Sequence, residues 1–393
     1  MWLALCLSAR LLSGKNAGQE GGNGVACKKL IRIFAMKVCI VTVYDSINSG
    51  SFWQAYTLGQ ALRNMGHTVC YLEREKSGGA SSSKMAQAKK VVKFLLKGHA
   101  THAVDYIKTI RGFQEAHKKF SIVQNNENSF DDIDCFVLGS DTIWNLDSKY
   151  FQHNYKIFWG EAFSNKKVVT YAASVANTSL EKCTQLENIE QIVSQWSAVG
   201  VRDLQTKNII NHFTDRSVEI VCDPTLLLTK AEYQKWAQRL HPTSYVFLYL
   251  FNELTPTQID ALVAFCRENN LSIINGVTNY NKAFFDVQAI NTPDAFLSYM
   301  YFADYVITDT FHGTVFSVNL QKDFVVIDRG QNKVIDFLNR VGFKDRVVKN
   351  PDSLTPVLNR PIDYSEKEDA VNEWREKSIR FLKSAVEETD CDS

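Results

Sequence analysis

From residue 37 onward the chain alternates short apolar, β-branched runs with longer segments of helical period. Residues 38–43 read as a buried strand. Residues 51–65 read as a helix with Ala55, Leu58, Leu62 and Met65 on one face, and residues 68–72 read as the next strand. A strand–helix–strand unit predicts a parallel pair joined by a right-handed crossover. The same pattern predicts strands at 135–138, 168–172, 198–201 and 217–221, with helical residues at 180–196. After a link at 229–243 the alternation starts again. Strands are expected at 245–251, 271–274, 305–307 and 324–327, with helices at 256–269, 293–302, 313–320 and 332–341. A last helix over 365–388 carries Val371, Trp374, Phe381, Leu382 and Ala385 on one stripe.

This pattern predicts an α/β protein with two Rossmann-like domains facing a cleft. The N-terminal domain spans 36–230 and holds a helical insertion at 84–120, broken near Gly98, after the flexible run 77–83. The C-terminal domain spans 244–345. A C-terminal helix at 363–390 is expected to pack back on the body. Residues 1–35 stand apart: 3–12 are briefly apolar, too short to span a membrane, and no basic residue precedes them as in a signal peptide. They read as a disordered or mis-annotated leader.

Composition sharpens this picture. The 393 residues carry 44 basic and 43 acidic side chains, a net charge of +1. Without the leader the balance is 39 to 42, or −3. Neither value fits non-specific nucleic-acid binding, which needs a basic excess, so no nucleic-acid partner is expected. The nine cysteines form no CxxC pair. Several sit in apolar runs, where Cys behaves as a small hydrophobe. No disulfide framework or metal site is expected, and the protein reads as cytoplasmic. The insertion is locally basic: Lys84, Lys89, Lys90, Lys93, Lys97, Lys108, Arg111, Lys118 and Lys119 face only Asp105 and Glu115. The plain reading is a solvated face. The functional one is peripheral contact of 84–119 with a membrane or an anionic lipid carrier.

Four segments sit where strands run into helices, the ligand-binding edge of open α/β sheets. In Asp45-Ser46-Ile47-Asn48-Ser49-Gly50-Ser51, small residues expose helix amides to an anion or hydroxyl; an ordinary capped loop is the alternative. In Gly139-Ser140-Asp141-Thr142-Ile143-Trp144, the glycine permits close backbone approach. Asp141 suits sugar hydroxyls there, and Trp144 suits either a sugar face or the core. Arg202-Asp203 ends a strand with a guanidinium fork matched to carboxylate or phosphate; a salt bridge to Asp203 or Asp223 is the alternative. In Asp309-Thr310-Phe311-His312-Gly313-Thr314, an imidazole meets a helix start, whose positive end disfavours its protonated form.

In order, these segments resemble the polysaccharide pyruvyl transferase family. The resemblance rests on Asn48–Tyr56 with its Gln54-Ala55-Tyr56, Gly139–Trp144, Tyr171-Ala172-Ala173-Ser174, Arg202-Asp203, Asp223-Pro224-Thr225-Leu226-Leu227 and Asp309–Gly313, and covers roughly 37–345. Gln321-Lys322-Asp323 departs from the family's Gly-x-Pro turn. The resemblance implies a fold similar to the GT-B glycosyltransferases, with the acceptor on the N-terminal domain and the donor on the C-terminal one. It implies phosphoenolpyruvate as donor, a saccharide as acceptor (lipid-linked or free) and no cofactor. It also implies that Arg202 and His312 contact the donor, with Lys333, or else Arg329, as a third basic residue.

The expected site is therefore His312 and Arg202 as catalytic residues. Asn48, Ser49, Gly50, Gly139, Ser140, Asp141, Thr310, Phe311, Gly313, Thr314 and Lys333 are expected to bind substrate. His312 is the expected general acid, Gly313-Thr314 an amide cradle, and Asp141 with Asn48 the acceptor guides. A nucleotide-sugar glycosyltransferase, with Asp328 as ribose contact, and a non-catalytic sugar-binding protein are the alternatives.

Overall fold

The computed structural model describes residues 35–74, 84–96, 100–277, 284–349 and 353–388. The leader expected at 1–35 falls almost wholly outside them. The first sheet holds β1 (Lys37–Val41), β2 (Thr68–Leu72), β3 (Ile122–Val123), β4 (Cys135–Leu138), β5 (Lys167–Ala173), β6 (Trp196–Val201) and β7 (Val218–Ile220). The second holds β8 (Tyr245–Tyr249), β9 (Ser272–Asn275), β10 (Val287–Gln288), β11 (Tyr305–Thr308), β12 (Asp323–Ile327) and β13 (Val347–Val348). All pairings are parallel, in the orders β3-β2-β1-β4-β5-β6-β7 and β10-β9-β8-β11-β12-β13. Each order reverses beside its first strand, between β1 and β4 and between β8 and β11. Such switch points are where doubly wound sheets bind ligands.

The predicted strands recur with small shifts at their ends. The two-residue strands β3, β10 and β13 were not expected, because two residues carry no periodicity. Residues 180–196 are not one helix: short helices at Leu180–Thr184 and Ile189–Ser194 are followed directly by β6. At the departure from the family turn, Gln321 takes the left-handed backbone conformation (φ 55°), and buried Lys322 donates to the Ala303 carbonyl at 2.9 Å.

The helices that position the site are α1 (Ser49–Asn64), α2 (Lys84–Leu96), α3 (Ala100–His117), α4 (Leu204–Ile210), α5 (Pro256–Glu268), α6 (Pro293–Phe302), α7 (Phe311–Asn319), α8 (Asn332–Arg340) and α9 (Glu368–Glu387). Capping residues set their starts. Asn48, Asp203, Thr255, Thr292 and Thr310 each accept a backbone N–H of the first turn of α1, α4, α5, α6 and α7. No helix among the described residues is long and apolar enough to cross a membrane.

The two sheets are joined through buried contacts. The Trp53 indole of α1 donates to the Pro293 carbonyl at 2.9 Å, and the Ser49 hydroxyl donates to Asn291 Oδ1 at 3.0 Å. Asn319 at the end of α7 donates to the carbonyls of Thr225 and Leu228. Helix α9 crosses back onto the first sheet. There Ser378 accepts the Cys222 N–H, and Phe381 fills the space over Gly200, where a Cβ would lie 2.5 Å from its ring.

Candidate active site

Arg202 follows directly on β6. Its N–H donates to the Ala173 carbonyl at 3.1 Å, which continues the β5–β6 pairing by one residue and fixes the direction of its side chain. Asp203 is spent on structure: Oδ1 accepts the Thr206 N–H at 2.8 Å to cap α4, and Oδ2 accepts the Ser174 hydroxyl at 2.6 Å. Asp223, just past β7, is 1 % exposed. Its Oδ1 takes the Thr225 N–H and hydroxyl at 3.0 and 2.7 Å. Its Oδ2 has no hydrogen-bond partner; it lies 3.8 Å from Arg202 Nη1 and 3.7 Å from His312 Nε2.

His312 comes from the other sheet. β11 ends at Thr308, and buried Asp309 accepts the N–H groups of Phe251 and Asn252 at 2.8 and 3.0 Å. That ties two strand ends together and brings α7 to the switch point. The imidazole then crosses to α1, where a Cβ on Gly50 would lie 2.3 Å from His312 Nδ1. This approach demands glycine. Gly50→Ala is expected to lower thermal stability by about 1–3 kcal/mol through overpacking and to reduce turnover by displacing the ring. Unchanged melting and turnover would show that the contact does not matter.

The four side chains Asp141, Arg202, Asp223 and His312 form one cluster. Arg202 Nη1 lies 3.6 Å from Asp141 Oδ1. The Arg202 side chain is 2 % exposed, its guanidinium carbon 4.9 Å from the Phe311 ring centroid, and its Nε and Nη2 are buried without a partner. The alternative of a structural salt bridge therefore accounts for one nitrogen only. An orphaned buried donor is costly, and here two point from one fork. Burial, with Arg202 and Lys333 nearby, holds the His312 imidazole below its ordinary pKa, against the pull of Asp223 and Asp141. For Asp141, burial acts upward, but Arg202, His312, the Thr142 N–H and Lys333 together hold it below the usual carboxylate range.

A cavity of about 390 Å³ reaches Arg202 and Asp223 of this cluster but is not lined by His312 or Asp141; its other walls are Asp203, Leu204, Ile220, Phe311, Lys333, Asp336, Phe337, Asn339, Arg340 and Trp374. Lys333 projects from α8 with Nζ 5.8 Å from the Phe311 ring centroid. Burial, then Arg202, depresses its pKa against Asp141, Asp203 and Asp223. A bound anion reverses both penalties. Arg329, the alternative third base, instead pairs with Asp309 at 3.5 Å and donates to the Glu253 carbonyl.

Several expected substrate contacts are used internally. Asn48 caps α1 by accepting the Ser51 N–H at 3.2 Å, so its carbonyl oxygen is not a free acceptor guide. Ser49 bonds Asn291. Ser140 is fully buried and donates to Gln54, while its carbonyl accepts the Thr42 hydroxyl at 2.9 Å. Gly139 presses on the Tyr171 carbonyl, 2.1 Å from where a Cβ would stand, so its smallness serves sheet packing. The Thr310 hydroxyl accepts the Gly313 N–H, and the Thr314 N–H and hydroxyl both go to the Thr310 carbonyl. The amide cradle at Gly313-Thr314 is therefore already satisfied. Asp141 accepts the Ser51 hydroxyl at 3.1 Å as well as pairing with Arg202. Trp144 is core: its indole donates to the Phe158 carbonyl, and its ring stacks on Trp159 and Trp196 at 4.9 and 5.0 Å. Asp45 pairs with Arg74.

Sequence reasoning missed Asp223 and, apart from Lys333, the cavity face of α8. The second had a signal. Lys333, Asp336, Phe337 and Arg340 follow the i, i+3, i+4, i+7 spacing that normally carries an apolar stripe, yet three of them are charged. Arg340 stacks on Trp374 at 4.7 Å.

A family model described as polysaccharide pyruvyl transferase matches residues 48–331. The chain belongs to the polysaccharide pyruvyl transferase family. In this pyruvyl transferase family member the matched span takes in Asp141, Arg202, Asp223 and His312, and ends two residues before Lys333. No curated protein matches the sequence. Among solved structures, a proposed UDP-N-acetylglucosamine 2-epimerase of Listeria monocytogenes superposes with a TM-score of 0.52 at 10% identity, covering 91% of this chain and 98% of that one. The UDP-GlcNAc 2-epimerase of Methanocaldococcus jannaschii gives 0.50 at 11% identity, covering 89% and 99%. These likenesses bear on the fold, which is of the GT-B type.

Proposed function

We propose that this protein transfers the pyruvyl group of phosphoenolpyruvate to two hydroxyls of a sugar in a surface polysaccharide or its precursor, forming a cyclic ketal. The observation that carries the reading is the Arg202 fork: two buried N–H groups without partners, at a cavity that Lys333 also lines. That pair suits a small molecule bearing both carboxylate and phosphate. His312, charged once the donor binds, gives its proton to the methylene carbon. A sugar hydroxyl adds to the adjacent carbon, the C–O bond to phosphate breaks, and the second hydroxyl closes the ketal. The hydroxyl protons pass to solvent and phosphate. Asp223 faces both Arg202 and the imidazole and favours the imidazolium. No step in this scheme draws on a cofactor. The six described cysteines are free and buried, in keeping with a cytoplasmic site of action.

The test is phosphate release from phosphoenolpyruvate across a panel of methyl galactosides, mannosides and glucosaminides. Release with at least one acceptor, and a pyruvylated product by mass spectrometry, is expected. A thermal shift with uridine or guanosine diphosphate sugars, and none with phosphoenolpyruvate, would overturn the reading in favour of a glycosyltransferase. Asp328, the acidic residue such a donor would want, already accepts the Gly330 N–H at 2.8 Å and lies 3.7 Å from Lys349.

A further inference from the structure

Helix α2 turns its apolar stripe away from the protein. At helical spacing Ala88, Val92, Leu95 and Leu96 share one face. All four are exposed, with Val92 at 52%, Leu95 at 54% and Leu96 at 84%. Lys89 and Lys93 flank this stripe and are exposed too. The opposite face is turned to α3 and half-buried at Val91 and Phe94. There Lys90 Nζ sits 4.4 Å from the Tyr106 ring centroid of α3, and the Phe94 ring lies 6.1 Å from the same ring. Lys84–Leu96 contains four lysines and no acidic residue. A helix of a water-facing surface buries its apolar stripe and sends charge outward. Here large aliphatic side chains and lysines share one outward face, the pattern of a helix lying in a bilayer interface.

The hairpin that carries this face is fixed to the seam between the two sheets. Gly112 of α3 leaves room for Thr292, whose Cγ2 would lie 2.2 Å from a Cβ there. The His117 ring packs 6.3 Å from that of Phe52, and Lys119 pairs with Asp294 at 2.9 Å. Phe52 stands two residues after Gly50, the neighbour of His312, and Thr292 follows Asn291, the partner of Ser49. The exposed stripe and the catalytic seam are thus parts of one braced unit.

We propose that the α2 face of Val92, Leu95, Leu96, Lys89 and Lys93 docks this protein on an anionic phospholipid bilayer. The leucines enter the headgroup–acyl boundary while the lysines meet lipid phosphates, so attachment depends on both apolar area and charge. Lys108, on α3, is 3.9 Å from Asp105 and adds little net charge. The inference stands apart from the donor chemistry: docking is read without any turnover.

The full chain is incubated with vesicles of phosphatidylglycerol and phosphatidylcholine, or of phosphatidylcholine alone, and sedimented. The expected result is sedimentation with the anionic vesicles, at least tenfold weaker with neutral ones and weakened again by 0.5 M salt, as screening requires (about 10 Å Debye length at 0.1 M). The double variants Leu95→Gln/Leu96→Gln and Lys89→Gln/Lys93→Gln should each lose at least tenfold in vesicle binding, with unchanged circular dichroism and melting. Wild-type protein left in the supernatant with anionic vesicles overturns the proposal. So does a Leu95→Gln/Leu96→Gln variant that sediments like wild type, or a stripe found instead to bury itself in a dimer that persists beside vesicles.

Discussion

Replacing Arg202 with alanine is expected to abolish measurable pyruvyl transfer, a loss of about 10³-fold or more if the guanidinium stabilises the leaving phosphate. The same change leaves Asp141 and Asp223 facing an empty site, with the cation 3.6 and 3.8 Å from them removed. Stripping a buried pair of its partner costs about 3–5 kcal/mol, so Arg202→Ala should also unfold at clearly lower urea. Arg202→Lys separates the two effects. It keeps a positive charge between the carboxylates, and its stability should stay close to wild type. It loses the two free N–H groups of the fork, and each charged hydrogen bond is worth about 1.5–3 kcal/mol. Together that is about 3–6 kcal/mol, so affinity for phosphoenolpyruvate should fall about 10²- to 10⁴-fold by calorimetry. A folded Arg202→Lys protein that binds phosphoenolpyruvate as wild type does would sink the assignment of Arg202 to the donor.

The fold was legible because its signals are periodic. Runs such as Val38 to Val41 and Tyr245 to Tyr249 are buried on both sheet faces and read as continuous apolar strands. The two-residue edge strands have no period to read. In the site, Arg202 and His312 were legible because a charged or titratable residue at the carboxyl end of a strand has few structural reasons to be there. The polar residues around them were harder. Asn48, Ser140, Thr310 and Thr314 are of types that serve ligands and caps alike, and the choice depends on hydrogen bonds that only the folded chain reveals. Trp144 illustrates the same ambiguity for an aromatic side chain. Its place after Gly-Ser-Asp suits a sugar, but Trp159 and Trp196 from other segments enclose it. The meeting of Gly50 with His312 joins positions 262 residues apart, and no local pattern encodes it.

His312→Gln is expected to lower turnover by about 10²- to 10⁴-fold, the span of general acid catalysis, and to leave a folded protein, since the ring makes no hydrogen bond through Nε2. Its sharper signature is a proton. In the free protein, burial, reinforced by Arg202 and Lys333, keeps the imidazole pKa below its ordinary 6.5, so near pH 7.5 it is neutral. A donor carrying carboxylate and phosphate beside it favours the charged form and raises that pKa. Between the free and the bound pKa, binding takes up a proton, so affinity must fall as pH rises, by up to about tenfold per unit. Below the free pKa the imidazole is charged in both states and the dependence vanishes; above the bound pKa it is neutral in both, with the same result. Calorimetry at pH 7.5 in buffers of different ionisation enthalpy should thus show proton uptake on phosphoenolpyruvate binding, and His312→Gln should remove it. A merely structural histidine would change stability and leave this linkage in place. Uptake that persists undiminished in His312→Gln would overturn the assignment of this proton to His312.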